Sequence, residues 1–410
     1  MKSAINAKLS VLMFLQFFIW GAWYTSIAVY MTAQGMGSLT HWPYTVNPLA
    51  AIVAPFFLGL VADRFFATEK VLAGLHLAGG VILLVVPQLA GNSTAFILGL
   101  LAYNLCYMPT LGLANSLAFH HIVDQEKQFP RIRVFGTVGW IAAGLGVSFV
   151  LGKFVGGAAE GTSAPLMTAG VASLILGAFC LTLPHTPPSA KGRKVSFGSI
   201  LGRDAFRELG SGPFYVFLLS SFLICIPLAA YYNFTQLFLG AAGVQNIAAV
   251  QTIGQMSEVG FMLLMPFCFA RLGVKWMLIV GMGAWAARYA LFALGAPDQV
   301  QWMVILGIAL HGICYDFFFV TGQIYVDKKS SPAVRGQAQG MLVLVTYGVG
   351  MLIGAQIAGL AYNRFLGTAP ALTPAQWQSF WWLPAAFAVG ILVLFAALFR
   401  DRAVESDRKM

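Results

Sequence analysis

Gln301-Trp-Met-Val-Ile-Leu-Gly-Ile-Ala-Leu-His-Gly-Ile-Cys-Tyr-Asp-Phe-Phe-Phe-Val-Thr-Gly-Gln-Ile-Tyr325 runs 25 residues with one formal charge, Asp316. About 20 predominantly apolar residues suffice for a helix to cross the hydrocarbon of a bilayer. A carboxylate inside such a stretch is costly and is therefore a functional candidate by default. The rest of the chain has the same character. Of 410 residues, 59% are hydrophobic and 9% charged, against roughly 25% charged in soluble domains. A globule of this length must cover its outside with polar groups, so the excess apolar surface requires lipid as its solvent.

Further stretches of this kind lie near 9–31, 43–62, 70–90, 95–119, 132–152 and 164–184, then near 213–240, 247–269, 275–295, 300–325, 338–362 and 378–399. The expected fold is all-α and integral to the membrane, with twelve transmembrane helices in two six-helix halves. The first stretch is too long for a signal-peptide core and is kept as a mature helix. Basic residues collect in alternate connections: Lys2 and Lys8; Arg64 and Lys70; Lys127, Arg131 and Arg133; Lys191 to Arg207; Arg271 and Lys275; Lys328, Lys329 and Arg335; and the tail. Only Lys153 and Arg364 fall on the other side. The positive-inside rule then places both termini in the cytoplasm. The net charge of +10 reflects this topology, and no nucleic-acid partner is expected.

The chain divides into an N-terminal half (1–184), a cytoplasmic linker (185–212), a C-terminal half (213–400) and a cytoplasmic tail (401–410). Within the linker, Phe197, Ile200, Leu201 and Phe206 alternate with Arg203 and Arg207, the pattern of a short helix lying on a membrane surface. The halves echo each other. Pro55-Phe56 and Pro266-Phe267 close second helices, while Pro130-x-x-Arg133-x-x-Gly136 and Pro332-x-x-Arg335-Gly336 open fifth helices. Repeated halves are common in transporters, whose substrate site lies near mid-membrane. Gly59-Leu-Val-Ala-Asp63-Arg64 resembles the loop motif of the major facilitator superfamily, although Phe65 to Lys70 depart from its usual continuation.

Five cysteines (Cys106, Cys180, Cys225, Cys268, Cys314) sit in apolar runs without the spacing of a metal site or disulfide framework. No metal or other cofactor is expected, and neither is ATP drive, since no phosphate-binding loop motif occurs. The seed of an enzymatic alternative is His120-His121-Ile-Val-Asp124, which lacks the supporting constellation of a metal site and reads as a hydrated interface loop.

Three stretches each present a polar stripe. Arg133, Thr137 and Trp140 recur at i, i+4, i+7, as do Gln251, Gln255 and Glu258; His311 and Tyr315 are four apart, with Asp316 next. Such spacing puts side chains on one helical face, the arrangement of a lined cavity. Arg288 reads as a structural partner, His311 as either a packing or a binding group, and Trp20, Trp23 and Tyr24 as an aromatic packing face. With two interior carboxylates, Glu258 and Asp316, and one clear interior cation, one carboxylate is left over. A lone carboxylate in low dielectric favours its protonated form, and a group that gains a proton on one side and loses it on the other couples transport to the proton gradient.

Phe14 to Trp23, Tyr107 to Asn115, Phe129 to Gly139, Gly254-Gln-Met-Ser-Glu258 and Tyr315-Asp-Phe-Phe318 resemble bacterial nucleoside:proton symporters, a branch of the major facilitator superfamily. The resemblance covers nearly the whole chain. It implies a nucleoside site formed by Arg133, Thr137, Trp140, Gln255, Glu258, Tyr315 and Asp316, with Asp316 and Glu258 tied to proton coupling. It also implies nucleoside and proton as substrates, a monomer in lipid, and a multi-pass location in the bacterial cytoplasmic membrane. The seventh stretch departs from better-known members: Ala229 and Tyr232 stand where a glutamine and an asparagine face the ligand, and His311 where an aromatic is expected. Base preference, and nucleoside as against sugar, stay open there. A multidrug antiporter is disfavoured, because 136–150 lacks the proline of its Gly-Pro signature.

Overall fold

The computed structural model describes residues 2–57, 66–188, 198 and 201–400. Every regular element among them is helical. Nine of these helices are long and apolar enough to cross a membrane, with Pro43–Phe57 and Ala164–Cys180 as shorter companions. One of the nine, Ile247–Gly295, is two helices in one run. Gly273 interrupts it at φ 67°, ψ 175°, a conformation open to glycine and strained for other residues. The expected loop-motif residues Gly59, Asp63 and Arg64 lie outside the described residues, as do Phe197 and Ile200 of the linker.

Contacts group the chain into two compact units, residues 1–196 with 246–252, and residues 197–245 with 253–410. In the first unit, α1 (Lys2–Tyr24) and α2 (Ile27–Ala33) replace the single uninterrupted first helix of the sequence reading. The break falls at Thr25-Ser26, whose hydroxyls turn back onto the carbonyls of Gly21 and Trp23, the local competition with helix geometry that such residues offer. After α3 (Pro43–Phe57) come α4 (Thr68–Val85) and α5 (Ser93–His121). Next, α6 (Gln125–Leu145) continues through a π-helical turn at Gly146–Leu151, and α7 is Ala164–Cys180. The fifth helix therefore starts before Pro130 rather than at it. The Gln128 side chain accepts from the Val123 and Asp124 amides at 2.9 and 3.0 Å, which organises the entry.

A buried polar network ties four helices of this unit together. The Gln16 amide donates to Thr110 Oγ1 at 2.6 Å, its oxygen meets His76 Nε2 at 2.9 Å, and Ser173 donates to the His76 carbonyl at 2.9 Å. Polar side chains inside an apolar bundle are stable only when so paired. His121, from the sequence's candidate metal cluster, instead bonds Thr186 Oγ1 at 2.8 Å. Among the described residues no group of three or more histidine, cysteine or acidic side chains could hold a metal.

In the second unit, α8 (Arg203–Leu209) is the described part of the expected surface helix. It buries Ala205 and Leu209 and turns Phe206 outward. Asp204 accepts from Gln337 and Glu208 from Ser331, so α8 is pinned to the helix that opens at Arg335 and to the connection before it. Then follow α9 (Gly212–Ala241), the two arms of α10 (Ile247–Gly295), α11 (Gln301–Lys329), α12 (Arg335–Leu366) and α13 (Pro374–Leu398). Thr373 and Gln376 form a reciprocal capping box at the start of α13. In both α11 and α12 a π-helical turn interrupts the helix, at Tyr315–Val320 and Leu344–Gly350. Such turns are rare and concentrate at functional positions.

Candidate functional site

Within the first unit the site is built by close approach of α1 and α6. A Cβ on Gly139 would sit 2.1 Å from the Phe14 carbonyl oxygen, and one on Gly136 2.7 Å from the Phe17 ring. Gly21 in turn accepts the Trp140 backbone. Small residues let membrane helices touch at backbone distance. This contact fixes the face that carries Arg133, Thr137 and Trp140. The Arg133 guanidinium lies over the Phe17 ring, 4.1 Å from its centre. Trp140 meets Trp20 edge-on at 5.5 Å and Tyr24 at 6.2 Å, while Trp20 contacts Tyr107 at 5.9 Å. Trp20 and Trp140 are both half-buried, whereas Trp23 is fully buried against Tyr103. The packing role expected for the three aromatic residues of α1 describes Trp23 and Tyr24, both buried; Trp20 is half-buried beside Trp140. The signal for it was present in the i, i+4 spacing of Trp20 and Tyr24.

Gln251 belongs to the first unit, where its amide donates to the Thr25 carbonyl at 3.2 Å, the acceptor freed by the break between α1 and α2. The helical stripe that groups it with Gln255 and Glu258 in the sequence is therefore divided between a structural group and two candidates.

In the second unit, glycines again set the geometry. Gly254 receives His311, whose Cβ lies 3.1 Å from where a glycine Cβ would be, and Gly312 lies flat against Ser257. The Gly312 amide donates to Ser257 Oγ at 3.0 Å. This seam holds the first arm of α10, which carries Glu258, against α11, which carries Asp316. Asp316 is 0% exposed and both its carboxylate oxygens lack a hydrogen-bond partner among the described residues. It sits in the π-helical turn, where Thr321 donates to its backbone carbonyl at 3.3 Å, five residues back. Tyr315 is half-buried and belongs to a column of rings, His311–Tyr315 at 5.9 Å, Tyr315–Phe319 at 5.4 Å and Phe319–Tyr347 at 5.3 Å. Gln255 is half-buried, with its side-chain oxygen unpartnered among the described residues.

Arg288 does not neutralise Asp316. Its Nε donates to the Gly307 carbonyl at 3.0 Å, and its guanidinium lies 4.1 Å over the Tyr231 ring. Aromatic faces hold this cation. Tyr231 stacks in turn on His311 at 5.5 Å. Ala229 is fully buried against Gly354, and the Asn233 amide turns toward the Ala355 carbonyl at 3.5 Å. Both therefore face α12 inside the unit.

A family profile described as Nucleoside H+ symporter matches residues 2–404. The chain is 40% identical over 402 residues to the putative nucleoside transporter YegT of Escherichia coli, covering 97% of this chain and 94% of that one. It is 32% identical over 417 residues to the nucleoside permease NupG of the same organism, covering 98% and 97%. The crystal structure of NupG superposes with a TM-score of 0.85 at 31% identity, covering 97% of this chain and 99% of that chain. With its buried carboxylate, its half-open aromatic faces and this agreement along its whole length, the chain is a multi-pass membrane transporter that belongs to the nucleoside H+ symporter family.

Proposed function

We propose that this protein imports nucleosides together with protons by alternating access, as a monomer with twelve membrane crossings and both termini in the cytoplasm of a bacterium. Arg133, Thr137, Trp140, Gln255, Glu258 and Tyr315 bind the nucleoside, and Asp316 and Glu258 carry the coupled proton. The observation that supports this most strongly is Asp316 itself, a fully buried carboxyl with no hydrogen-bond partner among the described residues. A structural carboxylate would have its lone pairs satisfied. One whose proton comes and goes with each cycle needs an environment that tolerates both states.

The chemistry of the remaining groups suits the solute. Amide and carboxyl side chains can hydrogen-bond ribose hydroxyls and base edges, and the half-exposed Trp140 and Tyr315 rings can stack on a base. Thermal melting of the purified protein with nucleosides, free bases and sugars at two pH values tests the reading. Stabilisation by at least one nucleoside, and not by its free sugar, is expected. Stabilisation by a sugar alone would replace the nucleoside with another hydroxylated solute.

A further inference from the structure

Residues 246–252 belong to the first unit, although the chain on either side of them belongs to the second. The tie is made by the start of a helix. Asn246 takes a left-handed backbone at φ 54°, and α10 begins at Ile247, leaving its first amides without partners in their own helix. Glu160 Oε1 accepts from the Ala248 amide at 3.2 Å, and Ser148 Oγ accepts from the Ala249 amide at 3.0 Å. Ser148 donates to Glu160 at 2.7 Å, which joins the two acceptors into one cap. Glu160 is 2% exposed, so its charge is held by these donors and by the positive end of the helix.

Packing completes the seat. A Cβ on Gly144 would lie 2.5 Å from the Thr252 methyl and 2.8 Å from the Ala248 carbonyl, so the helix start rests directly on the Gly144 backbone. The apolar part is small, comprising Val147, Ala159 and Ala248 with Leu151 at its edge. A permanent union of helices would rest on a broad apolar seam; here most of the attachment is polar, and it depends on one carboxylate.

We propose that Glu160 and Ser148 form a releasable latch that holds segment 246–252 on the first unit and lets go once in every transport cycle. The proposal rests on the alternating-access reading. Breaking the latch parts its hydrogen bonds and exposes four polar groups that water satisfies at once, so release is fast, and re-docking restores the cap without rearranging the helix.

The test is the rate at which a hydrophilic maleimide labels a thiol introduced by A249C or by T252C, in purified protein without substrate. Both positions are buried, at 8% and 2% exposure. Removing a helix cap shifts such an equilibrium by about fivefold, so E160A is expected to raise labelling at both positions by about that factor, and S148A to raise it less. Faster labelling of A249C alone would mean fraying of one turn and would overturn the latch. Unchanged rates in both backgrounds would overturn it too. If E160A does not fold, S148A, which keeps the charge, decides by the same two rates. Because no nucleoside is present, the outcome is independent of substrate identity, which the melting panel addresses.

Discussion

Asp316→Asn removes the ability to carry a proton while keeping the size of the side chain. Among the described residues Asp316 has no hydrogen bond to lose at either carboxylate oxygen, so the structural cost is that of burying an unpaired amide, about 1–3 kcal/mol. The variant should fold, with a modestly lower melting temperature. The functional effect is far larger. At a proton-motive force of about 150 mV, one coupled proton supplies roughly 3.5 kcal/mol, which corresponds to accumulation of about 300-fold. Glu258 alone does not complete the proton cycle once Asp316 no longer titrates, so the carrier can only equilibrate its solute and the steady-state ratio falls to about one. Radiolabelled nucleoside uptake into energised vesicles measures this ratio, and counterflow in preloaded vesicles shows whether the carrier still turns over. The expected result is lost accumulation with surviving counterflow. Accumulation above about tenfold in the variant would place the coupled proton elsewhere and refute the reasoning.

Trp140→Ala removes a ring that meets Trp20 and Tyr24; losing one base-stacking surface costs about 1–2 kcal/mol, so nucleoside Kd measured by calorimetry should rise roughly five- to thirtyfold. Gly139→Ala would place a methyl 2.1 Å from the Phe14 carbonyl and should destabilise the protein by about 1–3 kcal/mol. Gly74→Ala, which meets open space, should leave the melting temperature unchanged or higher. His41, outside the membrane-spanning helices, is held down to about 4 by burial. The unfolded chain binds that proton first, so His41 contributes stability in full above about pH 6.5. That contribution is lost as pH falls toward 4, and a His41→Asn variant should show a flatter melting curve over this window.

The residues proposed for the site could be picked out in the sequence because membrane burial makes polar residues conspicuous. Asp316, Glu258 and the Arg133–Thr137–Trp140 stripe stand out against apolar surroundings and need only helical spacing to be grouped. What the sequence left open shares one cause. Helical periodicity shows which residues share a face but says nothing about the partner that face meets. Gln251 thus looked like a neighbour of Gln255 and Glu258, yet its amide goes to Thr25. Trp20 read as packing beside Trp23, yet it stands half-open beside Trp140. Pro130 looked like a helix start, but a side-chain cap from Gln128 begins the helix earlier.

The sequence by itself determined an all-helical membrane protein with buried carboxylates, since hydrophobicity and charge cost act residue by residue and need no knowledge of neighbours. The tertiary structure alone decided that Arg288 rests on an aromatic face rather than on Asp316, that glycine seams bring α1 to α6 and α10 to α11, and that Glu160 caps a helix 88 residues away. Those outcomes depend on distances between segments remote in the chain, and a single sequence carries no term for them.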